Sequence, residues 1–245
     1  MHNITDYIMN TQELTIHTEN FLANTWQCAY PLNSTSNNST SPIRTDILHQ
    51  GIEDMLLPTY KASSDTTFQL ETETTGRPKI RVLDSSGDTL SVDLLLSHNN
   101  KIHTVILAKA PQTSINKNRK NMTGSLAGEA CRAVPSADPG RNVLLINFLP
   151  VETFTKIGSG YKREIVKPHD VIKAMISTEL TDVSKVKERV SVVEVRYTFT
   201  FDLATIKNDD DLRVALHTTA NPIKLVDGAL IEFEHYCAEF LSKHP

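Results

Sequence analysis

The chain has 245 residues, with 25 lysines and arginines against 29 acidic residues, a formal charge of −4, 39% hydrophobic and 22% charged residues. That is the composition of an ordinary folded domain, and it excludes a generally basic nucleic-acid coat, though not a local basic groove. No window approaches the roughly 18 apolar residues of a membrane helix, and the first residues lack an apolar leader core. The expected setting is therefore a cytoplasmic protein with no membrane partner. The three cysteines (Cys28, Cys131 and Cys237) form no CxxC pair, so neither a zinc site nor a disulfide framework is expected.

In chain order, Leu14, Phe21, Leu22 and Trp26 lie at helical spacing, which predicts an N-terminal helical arm over residues 1–32. The run NSTSNNSTSP has no hydrophobic period and reads as a flexible linker, residues 33–43. The main domain then spans residues 44–245. Its first helix places Ile47, Leu48, Ile52, Met55 and Leu56 on one stripe, starts at a Thr45 or Asp46 cap and stops at Pro58. TTFQLETET alternates as a strand, with Phe68 and Leu70 opposite Gln69, Glu71 and Glu73. Two hairpins follow, one about Ser85-Ser86-Gly87 and one about SHNNK. GSLAGEACRAV reads as a short helix, NVLLINFLP as a buried strand, PHDVIKAMI as a helix capped by Asp170, and RVSVVEVRYTFTF as an antiparallel strand. KNDDDLR is an acidic helix start, and residues 224–242 carry a final helical stripe. The order predicts a mixed α+β, or α/β, domain.

The chemistry lies in SVDLLLSHNNKIHTVILAKAP. With the turn at Asn99-Asn100, residue 93 falls opposite residue 106 or 107, and Asp93, Leu107 and Lys109 share a sheet face. An Asp and a Lys set among apolar residues are costly to bury unless paired or linked through a metal. A carboxylate can hold Mg²⁺, a hard cation that prefers oxygen. A neighbouring lysine can orient a water and stabilise charge on a phosphate. The plainer reading of the pair is a cross-strand ion pair.

This hairpin, with the KAPQTSINKNRKNMTGSLAGEACR that follows, resembles the active-site signature of the PD-(D/E)XK nuclease superfamily, type II restriction endonucleases among them. Two positions depart from the pattern: Val92 stands where the family has Pro, and Leu107 stands where it has a metal-binding acid. The resemblance implies a restriction-endonuclease-like central mixed sheet flanked by helices, and Mg²⁺-dependent, sequence-specific cleavage of double-stranded DNA in a bacterial cell. It also implies a homodimer if the target is palindromic. The missing acid is assigned to Glu129, with Asp93 and Glu129 as metal ligands, Lys109 orienting the water and Glu53 as a further acid on the first helix. Glu53 or Glu71 is an alternative source of the second carboxylate, and Glu129 paired with Arg132 is the plainer reading of that residue.

Residues 115–132 and 156–173 each carry more basic than acidic residues. Phosphates would bind there: Asn116, Lys117, Asn118, Arg119 and Lys120 in a loop after the catalytic strand, and Lys162 and Arg163 in a glycine-opened segment. The alternative is two solvated loops. A catalytically silent DNA-binding protein or subunit on the same fold is the second functional reading, and an interaction module with no nucleic-acid role is the third. Phosphate-loop, dinucleotide, zinc-protease and serine-hydrolase motifs are all absent from the sequence.

Overall fold

A computed structural model describes residues 10–34, 41–134, 140–168 and 188–244. Helix α1 (Thr11–Ala29) starts with a capping box: the Asn10 side chain accepts from the Glu13 N–H, and the Glu13 carboxylate accepts from the Asn10 N–H. Two N–H groups that a helix start leaves unpaired are thereby satisfied. Helix α2 (Pro42–Ala62) starts earlier than its sequence predicts, at Ser41, with Pro42 in the first turn, where its missing N–H is of no consequence. Asp46 does not cap it and instead accepts from the Thr75 N–H. Pro58 does not end α2 either. The proline forgoes one helix bond, but Met55, Leu56, Thr59 and Tyr60 around it are all buried, and their packing outweighs the loss.

The N-terminal helix is not an arm. Leu14, Phe21, Leu22 and Trp26 belong to the main core, and the Trp26 Nε1–H donates to the Tyr197 hydroxyl at 2.8 Å. Helices α1 and α2 meet at Gly51, where a Cβ would overlap the Phe21 ring. The residues expected as a linker are described only in part, and Pro42 and Ile43 already belong to α2.

The next elements are β1 (Phe68–Thr72), β2 (Arg81–Leu83), β3 (Thr89–Ser91), β4 (Leu94–His98), β5 (Lys101–Lys109), α3 (Ile115–Ala133), β6 (Asn142–Pro150), β7 (Glu152–Ile157), β8 (Gly160–Ile165), β9 (Val190–Phe199), α4 (Asp209–Thr218), β10 (Ile223–Leu225) and α5 (Ile231–Lys243). A six-stranded mixed sheet runs in the order β1-β4-β5-β6-β9-β10. Strands β1, β4 and β5 are successively antiparallel, β5, β6 and β9 are parallel, and β10 is antiparallel to β9. Ile106, Ala108, Leu144 and Ile146 share one core with α1 and α2, whereas Val105, Leu107, Val143 and Leu145 share another with α3. The alternation within β5 and β6 therefore defines a helix–sheet–helix sandwich. This is the mixed α+β architecture that the element order predicts, with the central mixed sheet flanked by helices that the resemblance implies.

Both predicted hairpins form. Asn99 and Asn100 have φ of 52° and 59°, the left-handed pair that a two-residue turn requires and that asparagine tolerates. Asp84 shapes the β2–β3 turn by accepting from Ser86 and from the Asp88 N–H. Three readings change. Strand β9 is antiparallel only to β10 and lies parallel to β6, because alternation reports which face is buried, not the direction of the neighbour. KIGSGYKREIVK belongs to the β7–β8 hairpin, turning at Gly158 with φ 60°. Helix α5 begins only at Ile231, after a short strand. The helix expected at PHDVIKAMI and its Asp170 cap lie almost wholly outside the described residues. Among the described residues no helix is long and apolar enough to cross a membrane.

Gly51→Ala is expected to destabilise the protein by about 1–3 kcal/mol, because the methyl overpacks the Phe21 contact. Helix propensity alone would favour the substitution by up to about 1 kcal/mol. Urea unfolding of the variant decides which effect wins.

Candidate active site

Because β4 and β5 are antiparallel, the start of one lies beside the end of the other. Leu94 opposes Ile106, and Asp93 just before β4 comes next to Lys109 at the end of β5. Helices α2 and α3 cover the two faces of the sheet at this point.

Asp93 does not continue the pleat of β4. Leu94 and Leu96 face the α2 core, and Val92 and Leu95 both face the α3 core, so the alternation slips by one residue at positions 92–93. The slip turns the carboxylate to the end of the ladder, where Oδ2 accepts from the Ala108 N–H at 2.7 Å. Oδ1 lies 3.3 Å from His49 Nε2 of α2. Asp93 thus sits between the layers instead of sharing the Leu107–Lys109 face outright.

His49 was not singled out by the sequence, although a histidine inside the apolar stripe of α2 was visible there. Its side chain is 3% exposed, against 20% for Asp93. Its Nδ1 lies 2.9 Å from the Glu73 carbonyl, which can only accept. A ring with an acceptor at each nitrogen is satisfied only as the imidazolium. Burial alone would lower the His49 pKa, but the bond to Asp93 and its charge, with the Glu73 carbonyl, raise it overall. Burial likewise works to raise Asp93, and the His49 bond and charge, Lys109 and the Ala108 N–H hold it below the usual carboxylate value. Both directions describe one buried ion pair.

Lys109 points toward α3. Its ammonium lies 3.4 Å from Glu129 Oε2, with side chains 38% and 28% exposed. The Ser125 hydroxyl holds Glu129 Oε1 at 2.9 Å. Arg132 is not the partner of Glu129 but pairs with Asp84 and closes the β2–β3 turn. The chain therefore brings Asp93, Lys109 and Glu129 into one neighbourhood, with Lys109 acting electrostatically on both acids. An open groove of about 250 Å³ runs beside them, lined by Arg44, Thr45 and His49 of α2, by Asp93 and Lys109, and by Met122 of α3. Glu129 reaches this site through Lys109 and does not itself line the groove.

The other expected residues divide. Glu53 is partly buried one helical turn beyond His49, and the groove lining from α2 does not include it. Glu71 is exposed on β1. Asn116, Lys117, Asn118, Arg119 and Lys120 are not in a loop but in the first turns of α3. The helix starts early because Glu164 of β8 accepts from the Ile115 and Asn116 N–H groups, doing the work of a cap. The Asn116 amide is engaged with Ile165 and Lys167, while Lys117, Asn118 and Lys120 are exposed. On β8, Arg163 pairs with Glu152 and Lys162 is exposed. Leu107 is 1% exposed and packs in the α3 core, remote from any ligand role. His103 lies toward the opposite end of β5, against Phe68 and Phe240.

No protein-family model matches the chain, and no curated protein matches it. Among solved structures, the cAAA-bound form of NucC from P. aeruginosa ATCC27853 is similar at 13% identity and a TM-score of 0.37, over 96% of this chain and 92% of that one. A likeness of that size carries no functional weight.

The His49–Asp93 pair sets a pH dependence. Stability from the raised His49 is fully present below its ordinary value of 6.5 and is lost as pH rises through the folded value. Stability from the lowered Asp93 is present above 3.8 and is lost as pH falls through its folded value. His49→Phe is therefore expected to cost about 3 kcal/mol near about pH 5, and less near about pH 9. Urea titrations at both values check this, and a cost independent of pH would mean that the pair is not ionised.

Proposed function

We propose that the chain is a Mg²⁺-dependent endonuclease of the PD-(D/E)XK kind that hydrolyses phosphodiester bonds of double-stranded DNA. The supporting observation is the ammonium of Lys109 at the end of β5, 3.4 Å from Glu129 and beside the ionised Asp93, at the edge of an open groove.

The chemistry follows from what each group can hold. Lys109 carries three N–H donors, enough to orient an attacking water while stabilising charge that develops on a phosphate oxygen. Asp93 is fixed by His49 and the Ala108 N–H, and each of its oxygens keeps a lone pair for a further partner. Asp93 and Glu129 offer hard oxygen donors of the kind Mg²⁺ takes; among the described residues neither they nor any other side chains form a cluster of three or more His, Cys, Asp or Glu, so water and phosphate oxygens would fill the rest of the ion's shell. Glu129 would come to an ion by exchanging its lysine partner, while Asp93 already faces the groove. Bound between these two carboxylates, a Mg²⁺ ion would supply polarisation of the scissile phosphate.

Lys117, Asn118, Arg119 and Lys120 on α3, with Lys162 on β8, are the proposed backbone contacts to the duplex. The structural bonds of Asn116 and Arg163 give those two side chains positioning roles instead. A type II restriction activity, a homodimer matching a palindromic site and a cytoplasmic bacterial setting complete the proposal.

A catalytically silent DNA-binding protein is the second reading. It is favoured by Leu107, which fills the usual acid position with a buried apolar side chain, and by the occupation of both Asp93 oxygens.

Purified protein is expected to cut plasmid DNA when Mg²⁺ is added. Lys109→Ala, Asp93→Asn and Glu129→Gln are each expected to reduce the rate by about 10²-fold or more. Salt-dependent DNA binding without cleavage at any Mg²⁺ concentration would select the silent reading, and full turnover by Lys109→Ala would remove the site assignment.

A further inference from the structure

Arg44 is the other cation of the groove. It stands in the first turn of α2, and its Nη1 donates to the Ala110 carbonyl at 3.2 Å, one residue beyond Lys109. That bond ties the guanidinium to the end of the catalytic strand. Its Nε is buried without a hydrogen-bond partner. Arg132, Arg163, Arg196 and Arg213 each lie against a carboxylate, whereas Arg44 has no carboxylate within ion-pair distance among the described residues. Burial lowers its pKa, and the ionisable groups that act on it are Cys28 and Tyr197, not an acid. A partly buried guanidinium without a counter-ion is costly. An anion entering the groove would offset that cost.

The rest of the lining indicates which anion. A guanidinium presents a planar fork of donors that matches two oxygens of one phosphate, which a lysine cannot do. Thr45, the next residue of α2, adds a hydroxyl, and Leu48, Pro111 and Met122 give apolar walls suited to a sugar edge.

We propose that Arg44 is the phosphate anchor of the substrate strand, gripping the phosphodiester beside the one that Lys109 faces and so seating a single strand in the groove between α2 and α3. This rests on the nuclease reading, and it adds a binding residue that the resemblance did not supply.

The test is binding of a labelled DNA duplex to the full chain without Mg²⁺, followed across a salt series, with plasmid cleavage run in parallel. Arg44→Gln is expected to weaken binding by about 10-fold and to reduce the salt slope by about one ion-pair equivalent. In cleavage, KM is expected to rise more than kcat falls. Arg44→Lys should recover the slope but not the full affinity, because charge is restored without the fork. Thr45→Glu keeps Arg44 and places a competing carboxylate beside it; it should weaken binding by a similar factor even if Arg44→Gln does not fold. Wild-type affinity and slope in a folded Arg44→Gln, or in Thr45→Glu, overturn the proposal while wild-type cleavage leaves the nuclease reading standing. A wild-type chain that neither binds nor cuts DNA overturns both.

Discussion

Asp93 holds three parts of the molecule in register. Through Ala108 it closes the end of the β4–β5 ladder, through His49 it fastens α2 to the sheet, and its own backbone carbonyl accepts from the Glu73 N–H just beyond β1. Glu73 in turn offers its carbonyl to the far nitrogen of His49. The loop is closed on itself. A carboxylate in this position resists rotation, because turning it away would strip a buried imidazolium of its counter-charge. The one-residue slip at Val92–Asp93 is what makes the arrangement possible, since an unbroken pleat would have sent Asp93 toward α3.

The same constraint orders the charges around it. His49 satisfies Asp93 from the α2 side, and Lys109 leans on Glu129 from the α3 side. The two pairs face each other across the sheet edge, and Arg44 is left beside them with no acid of its own among the described residues. In a chain of net charge −4, that local surplus of cations is not expected from composition. It arises because the pairs His49–Asp93 and Lys109–Glu129 cancel and Arg44 is left over.

The α3 helix shows how a functional expectation can turn out to have a structural component. Its polar first turns looked like a loop because asparagine and lysine are poor signals of a buried helix. They form a helix because Glu164, from a hairpin about fifty residues later, satisfies the opening N–H groups. Asn116 serves that junction, and the exposed lysines beside it remain available to a ligand.

Much was legible in the chain itself. The period of β1, β4–β5 and β9, the Asn-Asn turn, the two-faced sheet and the neighbourhood of Asp93 and Lys109 all follow from local pattern, because side-chain alternation and turn chemistry act within a few residues. Glu129 was singled out through the family resemblance, and the chain length after Lys109 only allowed it to reach the site; its pairing with Lys109 is a finding of the structure. The parallel placement of β9, the burial of α1, the continuation of α2 through Pro58, and the partners of His49, Arg44 and Asn116 were decided only by tertiary structure. Each depends on groups tens to hundreds of residues apart in sequence. For such groups, burial and the need to pair a charge or a donor override local preference, and no short-range signal records which partner will be there.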